Sequence, residues 1–388
     1  MTRITGEWLR APATARIMAM LLDAGHAAHF VGGCVRNALL GQPVDDIDIA
    51  TDARPGTVME LAARAGLKAV ATGLRHGTVT VIAQGRAHEI TTYRQDVETD
   101  GRHAQVRFAD SLQEDARRRD FTMNALYAEP DGRVIDPLGG LADLRARRVR
   151  FIGDAAARIR EDHLRILRFF RFHAWYGDPR RKPDAEALAA IAAGLDGLAR
   201  LSRERVGAET RKLLAAPDPA SACATMQRVG VLARIMPGAD SRALAPLVQL
   251  ETAIPPEPIP PEPIRRLAAL GGQDLPRALR LSRTEARRLR LLQELTDAGT
   301  RPEEIAYRHG AQSAIDVALL RAALHGQPLP DGLARHAKRA AGQVFPLRAS
   351  DLADRYRGPA LGRALREAEQ RWIDSGFRLS RDALLAES

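Results

Sequence analysis

Acidic residues at alternate positions mark residues 45–49, which read Asp-Asp-Ile-Asp-Ile. If this stretch is a strand, Asp46 and Asp48 point to one face, because side chains alternate along a strand. Two converging carboxylates repel one another unless a cation lies between them, and Mg²⁺ shared with phosphates suits such oxygen ligands. The alternative is an ordinary exposed strand edge. Glu89 could supply a third carboxylate from a neighbouring strand, or it could equally be a solvated residue. The pattern predicts a magnesium site at Asp46 and Asp48.

A glycine pair, Gly32-Gly33, lies upstream of the acidic segment, between an apolar run and a predicted helix. Such a turn exposes backbone N–H groups at a helix start, where phosphate can bind. Arg36 follows within one turn and could add positive charge. A glycine pair alone is a weak signal, and the chain has no GxxxxGK[ST] phosphate loop. Combined with the downstream carboxylates, however, it favours a nucleotide site.

Three consecutive arginines, residues 117–119, precede Asp120 and an apolar segment that contains Asn124. Clustered arginines can hold a triphosphate or an RNA backbone. Asp120 or Asn124 could hydrogen-bond a ribose hydroxyl and so select ribonucleotides. The alternative is a solvated helix start that Asp120 caps.

Residues 160–172 predict one helix that is apolar except for a narrow charged stripe. On a continuous helix, Glu161, Arg165 and Arg168 fall within about 60°, with Asp162 beside them. A carboxylate accepts from the amino group of cytosine or adenine, and a guanidinium donates to the adjacent ring nitrogen. Asp162 and Arg165 could therefore accept CTP and ATP and reject GTP and UTP. The alternative is an internal salt bridge from Glu161 to Arg165.

The elements that must position these residues predict an α+β fold, with a small mixed-sheet head followed by helices only. Short apolar and alternating runs predict strands, and Gly-Pro punctuation separates them from helices. The predicted strands are 28–31, 46–51, 78–83 and 87–93, and the predicted head helices are 35–40 and 55–65. From residue 152 onward, Ala, Leu and Arg recur with helical spacing. The predicted domains are a catalytic head (1–150), a helical neck with the nucleotide template (151–215), a helical body (216–253), a proline-rich linker (254–264) and an RNA-binding helical tail (265–388).

Length and composition are those of an ordinary globular chain with two or three domains. The chain has 388 residues, of which 45% are hydrophobic and 27% charged, which excludes a mostly disordered or collagen-like protein. A net charge of +10, with four lysines among 58 basic residues, makes a nucleic-acid partner plausible. Two cysteines fit a reducing cytoplasm, and the absence of an apolar run of membrane-spanning length predicts no membrane partner. Protein partners and cofactors other than Mg²⁺ are not indicated.

Six motifs in order resemble the family of class II tRNA nucleotidyltransferases and bacterial poly(A) polymerases. They are GGxVR, DxD, RRDFTxNA, DPxxGxxDL, EDxxR and LSxERV, found at residues 32–36, 46–48, 118–125, 136–144, 161–165 and 201–206. The resemblance covers about 175 residues and fades after residue 214.

The resemblance implies two-metal nucleotidyl transfer, with Asp46 and Asp48 binding two Mg²⁺ ions. It implies tRNA, CTP and ATP as partners and substrates, and complete CCA addition with release of pyrophosphate. The implied nucleotide-binding residues are Gly32, Gly33, Arg36, Arg119, Asp120, Asn124, Asp162, Arg165 and Arg168. Ser202, Glu204 and Arg205 would brace the template helix. Poly(A) addition and CC-only addition in the same family remain alternatives, and a non-catalytic RNA-binding module is a distant one.

Three features bear on these alternatives. Residues 93–108 resemble a loop that complete CCA-adding enzymes keep, which favours full CCA addition. The first motif usually ends in Asp, whereas this chain has Asn37, which loses a charge but keeps an acceptor. His163 stands where the family often has proline; it could stack on a base, but we favour simple replacement of the proline.

Overall fold

The computed structural model describes residues 2–100, 103–253 and 258–386, and the chain divides into two compact units, Met1–Ile235 and Met236–Ser388. The first unit carries every strand of the described residues, and the second is helical. The α+β prediction is confirmed. The finer predicted domain boundaries stay predictions, and residues 254–257 of the predicted linker lie outside the described residues.

A mixed sheet of seven strands forms the centre of the head. Its order is β3-β4-β5-β2-β1-β8-β9, and every neighbouring pair is antiparallel except β2 and β5. A separate two-stranded sheet, β6-β7, occupies most of the predicted loop at 93–108, of which residues 101 and 102 lie outside the described residues. The strands are β1 (Ala28–Val31), β2 (Asp48–Thr51), β3 (Lys68–Gly73), β4 (Thr78–Ala83), β5 (Arg86–Thr92), β6 (Arg94–Asp100), β7 (His103–Phe108), β8 (Tyr127–Ala128) and β9 (Val134–Ile135).

Helices flank the sheet and then continue as the neck. Within the first unit they are α1 (Glu7–Arg10), α2 (Pro12–Leu22), α3 (Gly33–Leu39), α4 (Pro55–Arg64), α5 (Leu112–Arg117), α6 (Gly140–Arg145), α7 (Ala155–Glu161), α8 (Leu164–Tyr176), α9 (Ala185–Ala193), α10 (Arg203–Leu214), α11 (Ala220–Val229) and α12 (Val231–Ile235). Short 3₁₀ turns cover Leu74–His76, Thr122–Asn124 and Leu195–Arg200.

Local sequence signals located four of the nine strands and two of the six helices described in the head. The strand at 28–31 and the hairpin of β4 and β5 are confirmed, and Gln84 and Gly85 at its turn both have positive φ, 49° and 78°, as a two-residue hairpin turn of primed type requires. The strand predicted at 46–51 is shorter, because β2 begins at Asp48 and its ladder with β1 runs only as far as Ile49. Asp46 therefore precedes the strand.

The prediction of one continuous helix over residues 160–172 is wrong, because the helix is interrupted between the end of α7 at Glu161 and the start of α8 at Leu164. Asp162 is extended, with φ −152° and ψ 105°. Its Oδ1 accepts from the backbone N–H of Leu164 at 3.0 Å, so the side chain competes with the helical hydrogen-bond pattern. Asp162 thus lies at a junction between helices rather than on a helix face.

Phenylalanine side chains pack the head against α8. Phe121 lies 4.8 Å from Phe172 and 5.0 Å from Phe151 between ring centroids, and Phe151 stacks on Phe169 at 5.6 Å. Phe121, Phe169 and Phe172 are fully buried, so this apolar contact fixes α8 against the segment that carries Asp120 and Asn124.

The second unit is built from ten helices in the part of the chain that the structure describes. They are α13 (Leu244–Ala253), α14 (Pro263–Leu270), α15 (Leu275–Ala278), α16 (Arg283–Asp297), α17 (Pro302–His309), α18 (Ala311–His325), α19 (Leu333–Ala341), α20 (Ala349–Leu352), α21 (Pro359–Asp374) and α22 (Arg381–Ala386). A buried ionic network ties four of them together, since Arg265 bonds Glu251 at 2.7 Å and Asp316 at 2.8 Å, and Arg288 bonds Asp316. Across both units, no described helix is long and apolar enough to span a bilayer.

Candidate active site

Two of the three predicted carboxylates lie side by side on the sheet. Asp48 of β2 and Glu89 of β5 are register partners on parallel strands, so their side chains share one face. Burial, followed by the charge of Glu89, raises the pKa of Asp48 to about 6; Asp46 acts in the same direction, and Arg119 and Arg36 oppose it. These carboxylates therefore crowd a half-buried space next to arginines, where a bound cation would relieve their repulsion.

The carboxylates of Asp46, Asp48 and Glu89 suit a metal-binding site that is open to solvent and substrate. Ile47 and Ile49 are buried in the core, whereas Asp46 and Glu89 are exposed. Among the described residues, no three His, Cys, Asp or Glu side chains form a ready-made metal-binding group. Mg²⁺ usually takes one or two protein carboxylates and completes its shell with water and substrate phosphates, which suits Asp48 with Asp46 or Glu89.

The glycine turn has the backbone that glycine permits. Gly32 has a φ of 71°, a conformation that costs other residues free energy. A Cβ at this position would lie 3.4 Å from Nη1 of Arg119 and 3.6 Å from Oδ1 of Asn124. Gly33 begins α3, which carries Arg36 on its inner side. The turn thus brings bare backbone close to the predicted nucleotide-binding residues.

Arg36 is buried in a cage of neutral partners. Its guanidinium donates to Oδ1 of Asn124 at 2.9 Å, to Oδ1 of Asn37 at 2.9 Å and to the hydroxyl of Tyr176 at 2.8 Å. It also lies 4.0 Å from the ring centroid of Tyr176 and 5.2 Å from that of Phe172. Burial lowers the pKa of Arg36. The side chain therefore links the glycine turn to the far end of α8.

Asp115 accepts hydrogen bonds from two residues of the arginine run, and the sequence analysis did not identify it. It is 1% exposed, and it accepts from Arg118 at 2.7 Å, from Arg119 at 3.0 Å and from the hydroxyl of Tyr127 at 2.6 Å. Burial opposes ionisation, but these partners outweigh it and hold the pKa of Asp115 well below its usual range. The signal that could have found it is the i,i+3 and i,i+4 spacing to the two arginines.

Asp120 is an internal partner of two other predicted site residues. Its Oδ1 accepts from the N–H of Phe121 at 2.9 Å and from Nδ2 of Asn124 at 3.2 Å, and its Oδ2 accepts from Nε of Arg168 at 2.6 Å. Burial opposes ionisation, yet Arg168 and these hydrogen bonds lower the pKa of Asp120 to about 2. Asp120 does not cap a helix, and it fixes Asn124 and Arg168 in place.

Asp162 and Arg165 lie close in sequence, but each is held by a different group. Oδ2 of Asp162 accepts from Arg205 at 2.6 Å, the brace that the resemblance implies. Arg165 pairs with Glu161 and donates to the carbonyl oxygens of Arg158 at 3.0 Å and Arg118 at 3.1 Å. The salt bridge considered as an alternative is thus present, and it orients Arg165 towards the arginine run.

Glu209 of α10 completes the cluster and was also missed. It is 6% exposed, bonds Nε of Arg171 at 2.6 Å and lies 4.0 Å from Nη1 of Arg168. Its partners on α8 lie 38 or more positions earlier in the chain, so no local spacing could reveal the contact.

The two departures from the motifs have local explanations. Oδ1 of Asn37 accepts from Arg36, and its Nδ2 donates to the carbonyl of Pro43 at 3.0 Å, a second bond that a carboxylate could not make. His163 has a φ of −61°, which proline also adopts. Its ring lies over Gly197, where a Cβ would come within 1.8 Å of it, so the ring packs on neck backbone.

Two families of known proteins match separate parts of the chain. Residues 28–150 match the Poly A polymerase head domain, and residues 182–242 match the family described as the probable RNA and SrmB-binding site of polymerase A. The mitochondrial CCA tRNA nucleotidyltransferase 1 of Homo sapiens is 43% identical over 196 residues, which are 50% of this chain and 45% of the relative. The CCA-adding enzyme of Geobacillus thermodenitrificans is 42% identical over 57% of this chain and 54% of its own. The matched stretches thus span about half the length of these relatives.

Similarity of fold extends over nearly the whole chain. The crystal structure of the Bacillus stearothermophilus CCA-adding enzyme in complex with CTP superposes with a TM-score of 0.77, covers 96% of this chain and 95% of its own, and is 29% identical. With the six motifs in order, these similarities confirm the resemblance of the chain to class II tRNA nucleotidyltransferases and bacterial poly(A) polymerases.

Proposed function

We propose that this chain is a CCA-adding tRNA nucleotidyltransferase, which adds C, C and A to the tRNA 3′ end from CTP and ATP and releases pyrophosphate. One observation carries the proposal: the first unit brings the carboxylates, the arginine run and the Asp162–Arg165 pair close together. Asp48 and Glu89 lie next to Arg119, and the run that contains Arg119 bonds Arg165, the neighbour of Asp162. Such a site combines metal ligands, phosphate-binding cations and a base-reading pair.

Asp48, with Asp46 or Glu89, would hold the divalent ions, for which we propose Mg²⁺. When bound there, magnesium supplies positive charge that activates the attacking 3′-hydroxyl and neutralises the leaving pyrophosphate. The chain itself contributes preorganised cations, because Asp115 fixes the guanidinium of Arg119 before any ligand arrives. A triphosphate bound across the glycine turn would then meet Arg36 and Arg119 with little reordering.

Base selection falls to Asp162 and Arg165. The carboxylate would accept the amino group of cytosine or adenine, and the guanidinium would donate to the neighbouring ring nitrogen. Guanine and uracil place a carbonyl where Asp162 requires a donor, so they would be rejected. Arg205 bonds Asp162 and Glu161 pairs with Arg165, which supports a rigid template. Ribose contacts of Asp120 and Asn124 stay predictions, since both already bond protein partners.

The acceptor RNA would bind through shape and phosphate contacts. The net charge of +10 favours an RNA backbone, and the match of residues 182–242 to a probable RNA-binding region supports the neck as part of that surface. The relatives that carry the name CCA-adding enzyme favour tRNA over messenger RNA as the acceptor. A cytoplasmic location stays a prediction.

The test is extension of a tRNA transcript that lacks its last three nucleotides. Purified protein receives Mg²⁺ with CTP, ATP, GTP and UTP, singly and mixed, and products are separated at single-nucleotide resolution. We expect two additions with CTP alone and three with CTP and ATP. A stop at two in the mixture would indicate a CC-adding enzyme. Long tails from ATP alone would indicate a poly(A) polymerase, and RNA binding without extension would indicate a non-catalytic module.

A further inference from the structure

Arg36 differs from the other arginines of the cluster in the charge of its partners. Each of the others bonds a carboxylate; the pairs are Arg119 with Asp115, Arg165 with Glu161, Arg168 with Asp120, Arg171 with Glu209 and Arg205 with Asp162. Arg36 is 6% exposed, yet among the described residues it forms no ion pair, and its hydrogen-bond partners are two amides and one phenol. Its orientation therefore depends on neutral groups.

The amide of Asn37 ties Arg36 to the segment that leads to the acidic residues. Oδ1 of Asn37 accepts from both Nε, at 3.3 Å, and Nη2, at 2.9 Å, while its Nδ2 donates to the carbonyl of Pro43. One amide thus connects the guanidinium to the chain just before Asp46. Nη2 carries two hydrogens, and the Asn37 amide accepts only one of them.

Tyr176 supplies a second acceptor from the neck. Its hydroxyl accepts from Nη2 of Arg36 at 2.8 Å, and its ring faces the guanidinium at 4.0 Å. Tyr176 is buried, and it is the last residue of α8, the helix that also carries Arg165 and Arg168. Contact with Tyr176 therefore sets the direction of a head arginine from the helix that carries Arg165.

We propose that Tyr176 is a positioning residue that aims the guanidinium of Arg36 at a phosphate of the incoming nucleotide, and that its hydroxyl and Asn37 together do the work of a carboxylate partner. This inference rests on the proposed function, since it takes the nucleotide triphosphate as the anion. A buried cation with only neutral partners has its charge available for such an anion.

The test uses Tyr176→Phe, which keeps the ring and removes only the hydroxyl. Binding of inorganic pyrophosphate in Mg²⁺ buffer is measured by calorimetry, and CTP incorporation into truncated tRNA gives KM and kcat. We expect the pyrophosphate Kd and the KM for CTP to rise about threefold to tenfold, the scale of one net hydrogen bond, with kcat within about twofold. Tyr307→Phe is the matched control, because the hydroxyl of Tyr307 also makes one side-chain hydrogen bond, which it donates to Glu369 at 2.7 Å; we expect its pyrophosphate Kd to match that of the wild type.

A second variant separates positioning from general packing. Asn37→Asp gives Arg36 a carboxylate partner, which compensates the charge that its neutral partners leave available. We therefore expect the pyrophosphate Kd to rise in Asn37→Asp as well, which would not follow if Arg36 and Tyr176 served packing alone. An unchanged Kd in either variant, or no pyrophosphate binding by the wild type, would overturn the proposal. A wild type that binds pyrophosphate but extends no tRNA would refute the proposed function and leave the comparison of variants decisive.

Discussion

Neutralising Asp48 should stabilise the metal-free protein even though it removes a proposed metal ligand. Burial and the nearby carboxylates raise the pKa of Asp48 from 3.8 to about 6, so the folded state disfavours the ionised form. The folded state then holds more protons than the unfolded state between these two values. The free energy of unfolding must therefore fall as pH rises through that interval, and the full cost is present above about pH 6.

The size of the effect follows from the same two values. The gap between 3.8 and about 6 corresponds to about 3 kcal/mol at 1.36 kcal/mol per tenfold change. Asp48 keeps partial solvent contact, which reduces the figure, so we expect Asp48→Asn to gain about 1.5–3 kcal/mol at pH 7.5. The gain should shrink towards zero near pH 4, where the wild-type side chain is neutral in the folded state.

Urea unfolding in EDTA, followed by circular dichroism at pH 7.5 and near pH 4.5, measures the difference. Asp45→Asn is the matched control, because Asp45 is exposed and lies outside the paired carboxylates; a change within about 0.5 kcal/mol is expected there. Added Mg²⁺ should stabilise the wild type and leave Asp48→Asn unaffected, since only a protein that binds the ion gains from mass action. An Asp48→Asn protein that is less stable than the wild type at pH 7.5 would refute the claim that burial and nearby carboxylates make ionised Asp48 unfavourable in the folded state.

Three further substitutions test separate parts of the site. Asp120→Asn removes the buried carboxylate that Arg168 bonds and leaves it with Glu209, 4.0 Å away, so we expect a loss of about 3 kcal/mol in urea unfolding at pH 7; a loss under 1 kcal/mol would contradict the assigned pairing. Gly197→Ala places a Cβ 1.8 Å from the ring of His163 and should cost about 1–3 kcal/mol, and adding His163→Ala should restore most of it. Arg165→Ala should relax the selection of CTP and ATP over GTP and UTP in single-nucleotide extension assays, and an unaltered selection would count against the template.

Local patterns in the sequence predicted the head elements whose strands and turns depend on neighbouring residues. The β4–β5 hairpin follows from alternation and a Gln-Gly turn, and Ala28–Val31 is bounded by its own glycines. The helix break at Asp162 was missed because apolar periodicity runs across it unchanged. The side chain of Asp162 accepts from the backbone N–H of Leu164 and so competes with the helical hydrogen bonds, which hydrophobic spacing does not reveal.

Partners that are distant in sequence could not be predicted in the same way. Arg36 and Tyr176 are 140 positions apart, and their contact exists only because the phenylalanine cluster docks α8 on the head. The motif residues were therefore found as isolated chemical groups, while the side chains that orient them, Glu209 and Tyr176, carried no local signal.

The shared carboxylates explain how the cluster can be rigid and still attract an anion. Asp115 holds both Arg118 and Arg119, and Glu209 lies between Arg168 and Arg171. At Asp115, one negative charge fixes two guanidinium groups but cancels only part of their charge, whereas Arg168 also bonds Asp120. Arginine suits this role better than lysine, because its planar fork can bond a carboxylate on one edge and a phosphate on another. A triphosphate would therefore meet cations whose orientation has already been set during folding, and ordering these side chains would take little from its binding free energy.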